Sequence, residues 1–200
     1  MIKKMLYPAL FCLTVVMISC SNSPKVIHDL SDTNYNLVDQ DSAAVNFPAN
    51  FEGKYVVMAF IYTHCPDICN ITTANLKNMS NQFEDKSDVH FLAITFDPER
   101  DTPSVLNDYM QTFTLDAQYF TMLTGTPTEI DSVLSRLDIE AKKSFTKTNA
   151  QGEKTYFMNH TDRVSVMDPQ GRVRFEYPGS RVPPEHVVED VNKLRSWWPF

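Results

Sequence analysis

Residues 55–69 read YVVMAFIYTHCPDIC, and this stretch decides the fold. Its first eight residues are nearly all apolar, and most are β-branched or aromatic, which is typical of a central strand buried on both faces. The strand leads directly into a segment with two cysteines, Cys65 and Cys69. Because open α/β sheets place their sites at the carboxyl edge of the strands, we expect both thiols at that edge.

Strands and helices alternate through the rest of the chain. The patterns predict strands over 35–38, 89–96, 119–123, 163–167 and 172–177, and helices over 69–85, from 103, from 127 and over 184–197. A polar excursion over 144–154 precedes the final hairpin. This order predicts an α/β fold with a central mixed sheet between layers of helices, ending in a hairpin and a helix. A thioredoxin-like fold fits it.

The amino terminus has the pattern of a lipoprotein signal peptide. Lys3 and Lys4 precede an apolar run that is short for a membrane-spanning helix, which needs about 20 residues. The run ends in Ser19-Cys20, which resembles a bacterial lipobox, although Met17 stands where Leu is usual. We therefore expect a signal peptide over 1–19 and lipidation of Cys20. A tether over 20–32 and a single domain over 33–200 complete the expected organisation.

Charge and cysteine usage restrict the classes of function. The formal net charge is −7, or −9 once the two amino-terminal lysines are removed, so a nucleic-acid partner is not expected. Cys12 lies in the expected signal peptide and Cys20 is the expected lipid site, so Cys65 and Cys69 are left as a single close pair. A disulfide-rich exported scaffold has more pairs than this. The pair is expected to carry chemistry.

Three interpretations of the pair compete. A structural disulfide would close a loop too small to stabilise the fold much. A redox dithiol is possible, although C-x-x-C is the usual spacing for that chemistry. The third is a soft-metal site, since thiolates at a helix amino terminus form readily and prefer Cu(I) or Zn(II). The spacing alone leaves the choice open.

A metal site requires at least one further ligand, and the chain has five histidines. His28, His90 and His186 fit ordinary surface or core positions. His64 adjoins Cys65, but its side chain is expected to point away from that of its neighbour. His160 stands just before a predicted hairpin strand, in a loop that abuts the cysteine loop in thioredoxin-like domains.

Three segments together resemble the Sco/SenC family, the copper-binding assembly factors of cytochrome c oxidase. They are YTHCPDIC at 62–69, DPERDTP at 97–103, and NHT at 159–161 with DPQG at 168–171. The resemblance extends from about 34 to 194. It implies a thioredoxin-like fold in which Cys65, Cys69 and His160 bind one copper ion, as Cu(I) and also as Cu(II).

Two positions depart from the family pattern. Asn70 stands where Pro is common, and Asn159 where an Asp is common, so a carboxylate that could tune His160 is absent. Asp97 and Asp101 either line the site or a docking surface, or cap and shape a loop.

The resemblance implies a copper metallochaperone that acts outside the cytoplasm. It would receive copper from an upstream donor and deliver it to the dinuclear copper site in the copper-binding subunit of cytochrome c oxidase. The lipid anchor would hold it at a membrane, facing the periplasm or extracytoplasmic space. The alternative is a thiol-disulfide oxidoreductase, in which Cys65 and Cys69 reduce target cysteines before copper is inserted. The fold favours neither function.

Overall fold

The computed structural model describes residues 23–148 and 154–197. The strands in these residues are β1 (His28–Asp29), β2 (Tyr35–Asp39), β3 (Ala44–Phe47), β4 (Tyr55–Ile61), β5 (Val89–Thr95), β6 (Phe120–Thr124), β7 (Ala141–Thr148), β8 (Lys154–His160), β9 (Val164–Met167) and β10 (Arg172–Tyr177). The α-helices are α1 (Ile68–Gln82), α2 (Pro103–Phe113), α3 (Pro127–Arg136) and α4 (Pro184–Trp197), and a short 3₁₀ turn covers Ala49–Phe51.

Eight strands form one mixed sheet, in the order β1-β10-β9-β4-β5-β6-β2-β3. The strands β4, β5 and β6 are parallel, whereas β9 runs antiparallel to β4 on its other side. All seven residues of β4 are buried, as expected for a central strand covered on both faces. Helix α1 packs against β4 and α4, α2 against β6, and α3 against β2. The predicted mixed α/β fold is confirmed.

Several predicted helix and hairpin signals are also confirmed. The hydroxyl of Thr102 accepts a hydrogen bond from the N–H of Val105, and Pro103 occupies the first turn of α2. Thr126 caps α3 in the same way. The hairpin of β9 and β10 turns at Gly171, whose φ of +79° is a left-handed conformation that glycine adopts without strain.

Two elements differ from the sequence predictions. The described residues of the excursion expected over 144–154, which are 144–148 and Lys154, belong to an antiparallel pair, β7 and β8, which forms a separate two-stranded sheet. As a result His160 is the last residue of β8 and does not lie in a loop. Strand β3, which pairs with β2, was not predicted, because four residues at a sheet edge give little periodicity.

The folded domain begins earlier than residue 33, within the segment expected as a tether. His28 and Asp29 pair with β10, and Leu30 is fully buried in the core. The guanidinium of Arg174 donates to the carbonyl oxygen of Pro24 at 2.6 Å. The expected signal peptide and Cys20 lie outside the described residues.

Candidate metal centre

The loop between β4 and α1 carries both cysteines at the carboxyl edge of the sheet. Cys65 lies in the loop, and Cys69 is the second residue of α1. Asp101 fixes the start of this loop, because its buried carboxylate accepts hydrogen bonds from the N–H of Thr63 at 3.0 Å and from the Thr63 hydroxyl. It also accepts from the hydroxyl of Thr95. Asp101 therefore shapes the loop, and its carboxylate is occupied by these contacts.

The departure at Asn70 has a structural consequence. The side-chain amide of Asn70 lies 3.5 Å from the carbonyl oxygen of Cys65, which it can reach as a donor. Its own oxygen accepts a hydrogen bond from the hydroxyl of Tyr109 at 3.1 Å. Asn70 thus links the cysteine loop to helix α2, a contact that a proline at this position could not make.

His160 approaches the cysteines from β8. Its Nδ1 atom lies 3.1 Å from the carbonyl oxygen of Thr161 and donates a hydrogen bond to it, so Nε2 is the ring nitrogen that faces the thiols. The ring packs at 4.5 Å from that of Phe96 and meets the ring of Tyr62 edge-on at 5.9 Å, measured between centroids. These contacts fix the orientation of the imidazole.

The structure brings the three predicted residues together. Nε2 of His160 lies 3.7 Å from Sγ of Cys69, and the two sulfurs and this nitrogen all lie within 4.8 Å of one another. Two metal–ligand bonds of about 2.0–2.3 Å span a similar distance, so one small soft ion fits between these atoms. Both cysteines are free thiols and buried.

The two thiols share one proton. Cys69 donates a hydrogen bond to Cys65, which outweighs the effect of burial and lowers the pKa of Cys65 to about 4. His160 and the N–H groups of Cys69 and Asp67 add to this effect. The same hydrogen bond, together with burial, raises the pKa of Cys69. At neutral pH the pair therefore carries one thiolate and one thiol.

Charge near the site also affects His160. Burial would lower the pKa of the imidazole, but hydrogen bonds to Cys65 and to the Thr161 carbonyl, with the negative charges of Cys65 and Asp162, raise it overall. Asp162 was not singled out from the sequence. Asp162 supplies a carboxylate close to the site, which the side chain of Asn159 cannot do. Its oxygens accept hydrogen bonds from the N–H and hydroxyl of Ser180.

The other four histidines lie apart from the centre, as expected. His64 is half exposed and its Nδ1 lies 3.0 Å from the hydroxyl of Thr63. His28 lies 3.3 Å from a carboxylate oxygen of Glu176. His90 lies on β5 and His186 on α4. Among the described residues, the only group of three or more metal-ligating side chains drawn so close together is Cys65, Cys69 and His160.

Cys65 and His160 line an open cleft of about 520 Å³, and Cys69 is buried behind them. Beside the site residues, the cleft is lined by Tyr62, Pro66, Asp67, Ile68, Lys147, Phe157, Met158 and Asn159. Another protein can therefore approach the centre from the side of Cys65 and His160. No helix within 23–148 and 154–197 combines the length and apolarity that a membrane span requires.

Comparison with known proteins identifies the family. A family model described as SCO1/SenC matches residues 27–196. The mitochondrial protein SCO2 of Saccharomyces cerevisiae is 30% identical over 125 residues, which are 62% of this chain and 40% of that protein. The chain thus spans less than half the length of this curated relative.

Solved structures match in fold. The structure of Bradyrhizobium japonicum ScoI with copper bound is 31% identical, with a TM-score of 0.66 over 80% of this chain and 97% of that one. A SCO1/SenC family lipoprotein from Bacillus anthracis is 26% identical, with a TM-score of 0.68 over 86% of this chain and 98% of that one. The fold is thioredoxin-like, and the chain belongs to the SCO1/SenC family.

Proposed function

We propose that the protein is a copper metallochaperone in which Cys65, Cys69 and His160 bind one copper ion as cargo. The observation that carries the proposal is the placement of two sulfurs and one imidazole nitrogen within 4.8 Å of one another, beside an open cleft lined by Cys65 and His160. The elements that bear these atoms are separate in the sequence, so the fold itself assembles the donor set.

The chemistry of the donors favours copper. Two thiolates suit the soft Cu(I) ion, and an imidazole beside them allows Cu(II) to be held as well. The ScoI structures from B. japonicum and Arabidopsis thaliana, 31% and 26% identical to this chain, have copper bound. Hard ions such as Mg²⁺ and Ca²⁺ prefer oxygen ligands and are poor candidates here.

A site with three protein ligands and an open approach suits transfer. Cysteine side chains of a target protein can enter the cleft and replace Cys65 and Cys69 one at a time, so the ion is never released to water. We propose that an upstream donor loads the site by the reverse exchange. The target is then the dinuclear copper site in the copper-binding subunit of cytochrome c oxidase.

A thiol-disulfide oxidoreductase remains the second candidate, because Cys65 is a thiolate near neutral pH. The Cys65 thiolate would attack a target disulfide, forming a mixed disulfide and releasing one target thiolate. Cys69 would then lose its proton and attack Cys65, releasing the second target thiolate. The target would gain two electrons and the protein would hold a Cys65–Cys69 disulfide, a form that cannot bind copper through these sulfurs.

The cellular location that we propose is outside the cytoplasm, at a membrane, with Cys20 as the lipid attachment site. The lipobox-like sequence around Cys20 supports this location, and the B. anthracis relative is itself a lipoprotein. An anchor of this kind would keep the domain at the membrane that holds the oxidase.

The test is copper binding by the reduced protein in competition with a Cu(I) chelator. We expect one tightly bound ion per chain in the wild type and none in Cys65→Ser or Cys69→Ser. Transfer is then followed to a purified oxidase copper-binding domain. Tight binding without transfer would reject the delivery role, and weak binding that ignores these substitutions would leave the oxidoreductase as the function.

A further inference from the structure

The position of His160 depends on how one hairpin is attached to the domain. Cys65 and Cys69 follow β4 of the main sheet, whereas His160 ends β8 of the separate two-stranded sheet. No ladder of backbone hydrogen bonds joins β8 to β4 among the described residues. The carboxyl end of β8 is joined through residues 161–163 to β9, which pairs with β4, and side-chain contacts attach the rest of the hairpin to the domain.

Arg100 makes the most extensive of these contacts. It lies in the DPERDTP segment between β5 and α2, and its Nη1 donates to the carbonyl oxygen of Tyr156 on β8 at 3.0 Å. The guanidinium carbon lies 3.7 Å from the centroid of the Tyr156 ring. This combination of a hydrogen bond and a cation–π contact fixes both the backbone and the side chain of one β8 residue.

Asp97 bonds both Arg100 and Tyr156. Its buried carboxylate accepts from Nε of Arg100 through one oxygen and from the Tyr156 hydroxyl through the other, the latter at 2.6 Å. Strand β7 joins the same segment, because Nζ of Lys143 lies 2.6 Å from a carboxylate oxygen of Glu99. Both strands of the hairpin are thus attached to residues 97–100.

The contact continues to the imidazole through Tyr62. The Arg100 guanidinium lies 5.5 Å from the Tyr62 ring, and the Tyr62 hydroxyl lies 3.4 Å from the backbone nitrogen of Met158. The Tyr62 ring also contacts the ring of His160, which it meets edge-on. One guanidinium therefore contacts two tyrosines, and each of these tyrosines is tied to the strand that ends at His160.

We propose that Arg100 is a positioning residue for the metal centre: it holds β8 so that Nε2 of His160 stays within bonding range of an ion on Cys65 and Cys69. The proposal rests on the proposed copper function. Lysine cannot replace Arg100, since a compact ammonium lacks the planar group that bonds and stacks at once. The Nη2 atom of Arg100 is buried and has no hydrogen-bond partner among the described residues, so the position of the guanidinium is set by its other two nitrogens and its contacts with the rings.

The test compares Arg100→Lys with a matched control, Arg195→Lys. Arg195 also bonds an aspartate, Asp88, and its guanidinium lies 5.5 Å from the ring of Phe83, but it belongs to α4. We expect Arg100→Lys to weaken Cu(I) binding by about 10- to 100-fold, which is the usual effect of removing a residue that orients a metal ligand. The substitution should also alter the absorption spectrum of the Cu(II) form. Arg195→Lys should leave both unchanged.

Amide hydrogen exchange in the copper-free protein separates this inference from the copper function. Arg100→Lys should speed exchange of the β8 amides, that of Met158 above all, while exchange in β4 stays as in the wild type. Tyr156→Phe keeps the ring and removes only the bond to Asp97, so its effects should be smaller. Unchanged exchange and affinity in Arg100→Lys, or equal losses in Arg195→Lys, would overturn the positioning role. If the wild type binds no copper, but Arg100→Lys still speeds exchange in β8 relative to the wild type, only the copper function is rejected.

Discussion

Nε2 of His160 lies 3.7 Å from Sγ of Cys69, although 91 positions separate the two residues in the chain. The contact connects the helix that follows the central strand with a hairpin outside the main sheet. An ion held between these atoms would cross-link the two elements. Binding energy and the stability of the folded domain are therefore coupled.

Replacing the imidazole separates the two candidate functions. We expect His160→Ala to weaken copper binding by about 100-fold or more. Removing a ligand should lower metal affinity at least as much as removing a residue that only orients a ligand. Reduction of a peptide disulfide should stay within a few-fold of the wild-type rate, because Cys65 and Cys69 are intact. His64→Ala is the matched control and should change neither measurement. Equal loss of both activities in His160→Ala would make the imidazole part of the thiol chemistry.

The lowered pKa of Cys65 predicts the order and the pH dependence of alkylation in the reduced protein. The thiolate is present above about pH 4, so the rate of iodoacetamide labelling at Cys65 should be nearly constant between about pH 5 and 8. Cys69 should label more slowly, because its pKa is raised. Peptide mapping by mass spectrometry gives both rates.

The control for this prediction is Cys69→Ala, which removes the side-chain donor to Cys65. The labelling rate at Cys65 should then depend more strongly on pH in this range. If the labelling rate at Cys65 in the wild type rises tenfold for each pH unit up to pH 8, the two thiols do not share a proton.

His90 predicts loss of stability in acid. Burial, with Lys54 nearby, lowers the pKa of His90 to about 4 in the folded state, against roughly 6.5 in the unfolded chain. The unfolded state therefore takes up the proton first, and stability present above about pH 6.5 is lost as the pH falls towards 4. A difference of about 2.5 in pKa corresponds to an upper limit on the order of 3 kcal/mol.

Urea unfolding from pH 7 to pH 4 measures this effect. His90→Gln keeps a polar group near the hydroxyl of Thr121, which lies 2.9 Å from Nε2 of His90, and should flatten the pH dependence. His186→Gln serves as the comparison and should follow the wild type. Parallel curves for wild type and His90→Gln would assign the acid sensitivity to other groups.

Asp101 predicts a link between stability and metal affinity. Asp101→Ala should lower the free energy of unfolding by roughly 2–4 kcal/mol, because the N–H of Thr63 and the hydroxyl of Thr95 lose a buried acceptor. Copper affinity should fall as well, since the cysteine loop starts at these bonds. Asp101→Asn keeps one acceptor oxygen, so it should recover part of the lost free energy of unfolding and part of the lost copper affinity. If Asp101→Ala is destabilised but binds copper with wild-type affinity, the hydrogen bonds of Asp101 do not affect the metal centre.

Cys20 predicts membrane attachment. Cys20→Ala should move the protein from the membrane fraction to the soluble fraction and abolish incorporation of labelled fatty acid. Cys12→Ala changes a cysteine within the expected signal peptide and should preserve both. Continued membrane association of Cys20→Ala without acylation would indicate an uncleaved apolar anchor.

The central strand and the cysteine loop could be predicted because their signals are local. Seven consecutive apolar residues define β4, and the cysteines follow it directly. The hairpin of β7 and β8 could not, since the strand Ala141–Thr148 is mostly polar and lacks the apolar alternation of a half-buried strand. Strand β1 has only two residues and is defined by its partner, β10.

The grouping of Cys65, Cys69 and His160 could be predicted, but the contacts around these residues could not. His160 was selected because the NHT segment followed two other family segments in order. Arg100, Tyr156 and Tyr62 come from three different elements, and no spacing in the chain brings them together. The sequence allows two roles for Asp101, and its hydrogen bonds to Thr63 and Thr95 show that it shapes the loop.

The early start of the fold would limit how far the domain could move from a lipid on Cys20. Arg174 fixes the carbonyl group of Pro24, so a lipid on Cys20 would leave only four residues of free chain, at most about 14 Å. Strand β1 is antiparallel to β10, so the chain before it leads back towards the end of the sheet that holds the thiols. A copper acceptor would then have to present its own site close to the lipid headgroups, and acceptors that extend far into the aqueous compartment would be out of reach.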